Sequence, residues 1–151
     1  MTRVPLLAFL LFGAAGAAFA EAPRQAFVRD HTDAALQWGA CPPVFPEGCD
    51  VSVLEGDPAA GRSDVFLRVQ PGITLARHIH TSAEHIVLVA GELEVEYEGQ
   101  APATLRAWSY AYGPARLAHL ATCKSADACV LFIAFESPID AIAAPSTPAQ
   151  P

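Results

Sequence analysis

Short runs of alternating apolar and polar residues, each ended by glycine, proline or polar residues, fill the chain from residue 51 to residue 136. In residues 64–70, for example, Val65, Leu67 and Val69 fall on one side of an extended chain. Such alternation is typical of strands with one buried face, and no segment shows the period of a helix. The pattern therefore predicts an all-β domain, either a sandwich or a jelly roll.

The predicted strands lie between two flanks of different composition. The strands cover residues 51–55, 64–70, 73–80, 85–90, 92–98, 103–113, 117–123 and 129–136. Residues 21–50 contain several prolines and little periodicity, which predicts an irregular N-terminal arm. Residues 137–151 are rich in proline and alanine and predict a flexible tail that packs no core. A chain of 151 residues has room for a single such domain.

The N-terminal residues have the pattern of a secretory signal peptide. Arg3 gives a positive start, residues 6–12 are an apolar run, and residues 18–20 match a small-residue cleavage site. We therefore expect residues 1–20 to be removed, the mature chain to begin at Glu21, and the protein to be periplasmic or secreted. A retained membrane anchor is the alternative, although the uncharged stretch is short and rich in alanine and glycine.

Four cysteines fit this expected export, because thiols in an oxidising compartment usually form disulfides. Cys41 and Cys49 are close in sequence, as are Cys123 and Cys129, and the local pairing is the favoured one. The bridge between Cys123 and Cys129 would close the mouth of a hairpin. The alternative is that one of these thiolates binds copper or zinc.

The charge balance limits the choice of partners. The chain has 9 Lys and Arg against 16 Asp and Glu, a formal net charge of −7. This is the wrong sign for binding phosphates, so nucleic acid is excluded, as is a membrane surface after signal cleavage. The expected partner is a small molecule.

Histidines and one glutamate form the candidate site. His78 and His80 are two apart on a predicted strand, so both rings project from one face. Glu84 follows shortly after, and His119 lies on a later strand that could fold back opposite them. Three imidazoles and one carboxylate suit Fe, Mn, Ni, Cu or Zn, and they leave positions open in an octahedral site. His85 is expected on the other face, away from the metal.

The spacing of these residues resembles a known family. Gly72-x5-His78-x-His80-x3-Glu84-x6-Gly91 matches the first motif of the cupins at every position. In that family the two histidines and the glutamate of this motif bind the metal. The resemblance implies a cupin jelly-roll barrel over residues 51–136.

A second cupin motif, G-x5-P-x-G-x2-H-x3-N, matches in part and carries the remaining ligand. Pro114 and His119 are in place. Trp108, Arg116 and Cys123 stand where the family has glycine, glycine and asparagine. The resemblance thus implies that His119 is a metal ligand, although the turn before it lacks the residues typical of the family. It also implies a homodimer, because small bacterial cupins of this kind are often homodimers.

Aromatic and basic residues near the second motif are candidates for the walls of the site. Trp108, Tyr110 and Tyr112 share one side of a predicted strand and are expected in the core, with the two tyrosines also candidates for a substrate pocket. Arg116, close to His119 in sequence, is a candidate clamp for a carboxylate.

The predicted function is a metal-binding cupin with open positions for a small oxygen-bearing molecule. As an enzyme it could be an oxygenase, an isomerase or a decarboxylase, because a bound metal can act as a Lewis acid or activate dioxygen. A non-catalytic cupin that binds or senses a small molecule or metal is the alternative, and a metal-free structural cupin is a third. No Ser-His-Asp set or phosphate-binding glycine loop is present, and no catalytic residue is assigned.

Overall fold

A computed structural model describes residues 25–145 of the 151. The predicted signal peptide, the expected mature start at Glu21 and the last part of the predicted tail lie outside the described residues. In the described part every regular element is a β-strand, which confirms the all-β prediction. No helix in this part is long and apolar enough to span a membrane.

The strands of residues 25–145 form two antiparallel sheets. The first has the order β1 (Gly39–Ala40), β2 (Cys49–Gly56), β3 (Ser63–Val69), β10 (Cys129–Phe135), β5 (Glu84–Ala90) and β8 (Tyr110–Gly113). The second has the order β11 (Ile142–Ala143), β4 (Thr74–Ile79), β9 (His119–Cys123), β6 (Glu92–Tyr97) and β7 (Ala103–Arg106). From β4 onwards successive strands mostly alternate between the sheets, which is the arrangement of a jelly roll.

The two sheets face each other across an apolar core and are not closed into a barrel. Among the described strands, no backbone pairing joins one sheet to the other, so the predicted barrel is corrected to an open two-sheet jelly roll. The chain crosses between the two sheets several times, and one of these crossings is a tight turn. At the turn between β5 and β6, Gly91 has φ +89°, and a Cβ there would lie 3.0 Å from the Cα of Cys129.

Two connections differ from the sequence prediction because each of them passes from one sheet to the other. Residues 103–113 form two strands instead of one, because the chain turns at Trp108 and passes from the second sheet to the first. β9 and β10 are not a hairpin, since they belong to different sheets. The disulfide between Cys123 and Cys129 therefore links the two sheets.

Both disulfides have the predicted local pairing. Cys41 is bonded to Cys49 and Cys123 to Cys129, and none of these four cysteines is free. The alternative of a thiolate metal ligand is therefore wrong. Two disulfides in one small domain indicate an oxidising compartment.

Each flanking segment adds a short strand to the edge of one sheet. In the N-terminal arm, β1 pairs with β2 next to the disulfide-bonded Cys49. The prediction of a tail that packs no core is wrong for residues 137–145, because Ile139 packs on the core and β11 pairs with β4. A short apolar stretch within a proline-rich composition is enough to extend a sheet edge.

Candidate metal centre

Three histidines meet between the two sheets. His78 lies in β4, His80 follows the end of that strand, and His119 begins β9 directly opposite His78. Residues two apart on a strand share a face, so the rings of His78 and His80 point to the same side. The strand register then brings the ring of His119 next to them. Each histidine is buried, and one ring nitrogen from each lies within 4.8 Å of the others.

The ring nitrogens of these histidines are oriented by backbone carbonyls. The Nδ1 atoms of His78, His119 and His80 face the carbonyls of Ala76 at 2.7 Å, Leu117 at 3.1 Å and Asp140, respectively. A carbonyl oxygen only accepts, so in each neutral ring Nδ1 donates its proton and Nε2 carries a bare lone pair. The Nε2 atoms of His78 and His80 are 3.0 Å apart, and because neither carries a proton they cannot form a hydrogen bond with each other. This orientation is the one that backbone carbonyls give to metal-binding histidines.

Glu84 completes the group as the first residue of β5. Its side chain is buried, with Oε1 3.4 Å from Nε2 of His80 and Oε2 3.5 Å from Nε2 of His119. Oε2 has no hydrogen-bond partner among the described residues. Gly113 pairs with Glu84 across the strands, and a Cβ there would lie only 2.8 Å from Oε2. A larger residue at that position would push the carboxylate away.

Burial determines the protonation of the site. It lowers the pKa of His78 to about 3, with His119 and His80 adding to the effect, and it lowers the pKa of His119 to about 4. Burial also lowers the pKa of His80 and raises that of Glu84 to about 8. The imidazoles are therefore neutral near pH 7, the form that binds a metal. A divalent cation among the three nitrogens would favour the charged form of Glu84.

A cavity of about 460 Å³ opens on these histidines. Its walls come from both sheets, from the loop between Cys41 and Cys49, and from the segment around Ile139. Apart from the three histidines, Glu84 and Tyr97, its described lining residues are all apolar. The size is in the range of sites that bind small organic molecules.

Two positioning contacts were not predicted from the sequence. The carbonyl of Asp140 faces His80, and its carboxylate accepts hydrogen bonds from the amide and hydroxyl of Thr81 at 2.7 and 2.8 Å. No sequence signal links residues so far apart. Tyr97 lies opposite His119 in the register, and its ring centroid is 5.3 Å from that of His119. The alternation of β6 did place Tyr97 on a buried face and could have identified it.

The structure does not bring the predicted pocket residues Tyr110, Tyr112 and Arg116 to the cavity. All three are exposed and none of them lines it. Tyr110 instead contacts His85, its hydroxyl 2.8 Å from Nδ1, on the outer face where His85 was expected. Trp108 is 80% exposed, so the prediction of a core residue is wrong.

The strand parity of β8 explains this outcome. Gly113 must face inward, because it lies against Glu84, and Ala111 then faces the cavity as well. Since alternate residues of a strand face opposite sides, Tyr110 and Tyr112 must point outward. The aromatic spacing was correct, but nothing in it indicates which side is buried.

The second motif keeps a glycine-like backbone without its glycines. Trp108 and Arg116, which stand at the two glycine positions, have φ angles of +72° and +66°. They are the described non-glycine residues in the left-handed region. The amide of Arg116 donates to the carbonyl of His80 at 2.7 Å, so this turn also contacts the site.

The two-sheet jelly roll with three clustered histidines defines the protein as a member of the cupin superfamily. Within it, the family model described as the ChrR Cupin-like domain matches residues 27–138. The chain therefore belongs to the ChrR cupin-like family. No match was found among curated proteins.

Solved structures share the fold at low sequence identity. KdgF from Halomonas sp. is 22% identical with a TM-score of 0.55, covering 68% of this chain and 87% of its own. The polyketide cyclase RemF from Streptomyces resistomycificus is 12% identical with a TM-score of 0.66, covering 82% and 89%. A cupin 2 domain-containing protein from Halorhodospira halophila is 19% identical with a TM-score of 0.58, covering 66% and 72%. At these identities the likeness concerns the fold alone.

Proposed function

We propose that this cupin holds one divalent transition metal with His78, His80, His119 and Glu84, and binds a small oxygen-bearing molecule at a position that the protein leaves open. The observation that carries the proposal is the convergence of three bare Nε2 lone pairs, each fixed by a carbonyl on the other side of its ring. Fe, Mn, Ni, Cu and Zn all accept this ligand set.

Each residue of the site has a distinct part in this function. The neutral histidines supply nitrogen ligands, and Glu84 supplies one negative charge that offsets part of the charge of the ion. Its Oε2 has no hydrogen-bond partner among the described residues and can bind the ion. When bound, the metal supplies Lewis-acid or dioxygen chemistry, as an oxygenase, isomerase or decarboxylase would require. The apolar walls keep water away from the molecule held there.

A non-catalytic binding or sensing role is the second candidate. It is favoured by the composition of the cavity, where Tyr97 is the one polar side chain among the described lining residues besides the four proposed ligands. An acid–base reaction needs a further group that can exchange a proton at neutral pH. Burial raises the pKa of Tyr97 to about 12, which does not suit that task.

We also propose that the protein acts outside the cytoplasm, in the periplasm or in the medium, as a homodimer. The two disulfides support the compartment, since such bonds are rare in the cytosol. The dimer rests only on the resemblance to small bacterial cupins.

The full-length gene product, expressed with its own N-terminus, is recovered from the membrane fraction and from outside the cytoplasm. Elemental analysis tests the metal and N-terminal sequencing tests the compartment. We expect about one transition metal per chain and an N-terminal residue of Glu21. Replacing His78 and His80 with alanine should remove the metal. His85→Ala is the matched control, because His85 lies on the outer face and should leave the metal in place. Equal metal content in both variants would refute the site, and an intact Met1 in the membrane fraction would refute the export.

A further inference from the structure

The cavity is polar at one end only. Its polar side chains, the proposed ligands and Tyr97, all lie around the three histidines, since Glu84 contacts His80 and His119 and Tyr97 packs on His119. The remaining described lining residues are aliphatic side chains, prolines, phenylalanines, alanines and a disulfide-bonded cysteine. A molecule that fills the cavity therefore meets hydrogen-bonding groups at one end and apolar walls elsewhere.

No cation among the described lining residues could pair with a charged group far from the histidines. Arg77 lies in β4 but does not line the cavity, and its guanidinium is 3.3 Å from the carboxylate of Glu98. Arg116, the predicted carboxylate clamp, is exposed and outside the cavity. A carboxylate buried against the apolar walls would lose its hydration without compensation, which is strongly unfavourable.

The hydroxyl of Tyr97 is the free donor at the polar end. It is buried and has no hydrogen-bond partner among the described residues. A Cβ placed on Gly113 would lie 3.5 Å from this hydroxyl and 2.8 Å from Oε2 of Glu84, so the two groups are close to one another but not bonded. Buried tyrosine hydroxyls usually have a partner. An oxygen atom of a bound molecule beside the histidines would supply it.

We propose that the cavity takes a largely apolar molecule that carries its oxygen donor at one end, next to the histidines and the Tyr97 hydroxyl, and no charge at the other end. This inference rests on the proposed function, because the oxygen of the bound molecule faces the metal proposed there. It excludes molecules with a charged group at both ends, such as dicarboxylates, and it assigns Tyr97 to the orientation of the bound oxygen.

Two rigid probes of the same ring system test this assignment. The full-length protein is loaded with Co²⁺, its cobalt content is measured, and binding of 2-naphthoate and of naphthalene-2,6-dicarboxylate is followed by calorimetry and by the visible spectrum of the cobalt. Both probes offer one carboxylate to the metal, and only the second carries a charge at the far end. We expect the dicarboxylate to bind at least about ten-fold more weakly. Equal affinity would overturn the proposal.

Variants on neighbouring positions then locate the binding. Ala111→Leu fills the cavity from β8 and should weaken 2-naphthoate at least about ten-fold with cobalt retained. Tyr112→Leu, the next residue on the same strand, points outward and should leave binding unchanged. Tyr97→Phe should weaken 2-naphthoate about five-fold without changing the cobalt content, because it removes one hydrogen bond and no metal ligand. Unchanged affinity in Ala111→Leu would show that the probe binds elsewhere and overturn the proposal.

The two proposals fail separately in this design. If cobalt binds and the dicarboxylate equals the monocarboxylate, the apolar ligand class is wrong and the metal site stands. If no cobalt binds but 2-naphthoate still binds and loses affinity in Ala111→Leu, the metal is wrong and the ligand class is supported.

Discussion

The left-handed backbone at Trp108 and Arg116 predicts that glycine would stabilise the protein at both positions. A non-glycine residue in this region costs about 1–2 kcal/mol in steric strain. Glycine removes that strain but loses more backbone entropy on folding, by roughly 0.4–1 kcal/mol. The net gain is therefore about 0–1.6 kcal/mol at each position, with a central value of about 0.8 kcal/mol.

Little else should change with these substitutions. Arg116 is exposed and Trp108 is 80% exposed, so few packing contacts are lost. The amide hydrogen bonds of the two turns, each 2.7 Å long, involve the backbone and remain available to glycine. The double variant should gain about 1.6 kcal/mol, twice the central single-site value, if the two sites act independently.

Urea unfolding of the metal-free protein with its disulfides intact measures this gain. The matched controls are Trp108→Ala and Arg116→Ala, which remove the same side chains and keep a Cβ in the left-handed region. Each glycine variant should be more stable than its alanine counterpart. If the alanine variants are equally or more stable, the two turns carry no steric strain and the reasoning is refuted.

Two further predictions concern the metal site. Asp140→Ala removes the hydrogen bonds from Thr81 that hold the carbonyl facing His80, so metal affinity should fall about ten-fold in a chelator competition, and an unchanged affinity would contradict the positioning role. The unfolding free energy of the metal-free protein should rise with pH up to about 6.5, because His78 and His119 bind fewer protons when folded than when unfolded and together outweigh the opposite effect of Glu84 above about pH 4.5. Between about pH 6.5 and 8 it should fall, because folded Glu84 keeps a proton that the unfolded chain has released, and Glu84→Gln should abolish that fall in urea titrations at each pH.

The sequence was enough to predict most of the strands and the histidines and glutamate that meet between the sheets. Strand alternation predicts on which face of the sheet each side chain lies. His78, His80 and Glu84 are close in sequence, so one strand and a short turn are enough to bring them together. His119 was a candidate from its place on a later strand, and the family resemblance supported it as a ligand, because its partner His78 is far away in sequence and only the register joins them.

Other features depend on contacts that no local pattern contains. The outward direction of Tyr110 follows from the close contact of Gly113 with Glu84, which belongs to another strand. The position of β10 in the sheet opposite β9 follows from the packing of the whole domain. The contact of Asp140 with His80 arises because a segment with the composition of a tail adds a strand at a sheet edge.

The irregular N-terminal arm has a reason to be cross-linked. The loop between Cys41 and Cys49 supplies apolar cavity walls, and the ring of Phe45 meets that of His78 edge to face, with 4.6 Å between centroids. A loop without regular structure still loses conformational freedom when it is ordered. The disulfide restricts those conformations before folding, so the loop can pack against a histidine of the site at a smaller entropic loss. The same bond that indicates an oxidising compartment therefore also helps to enclose the cavity.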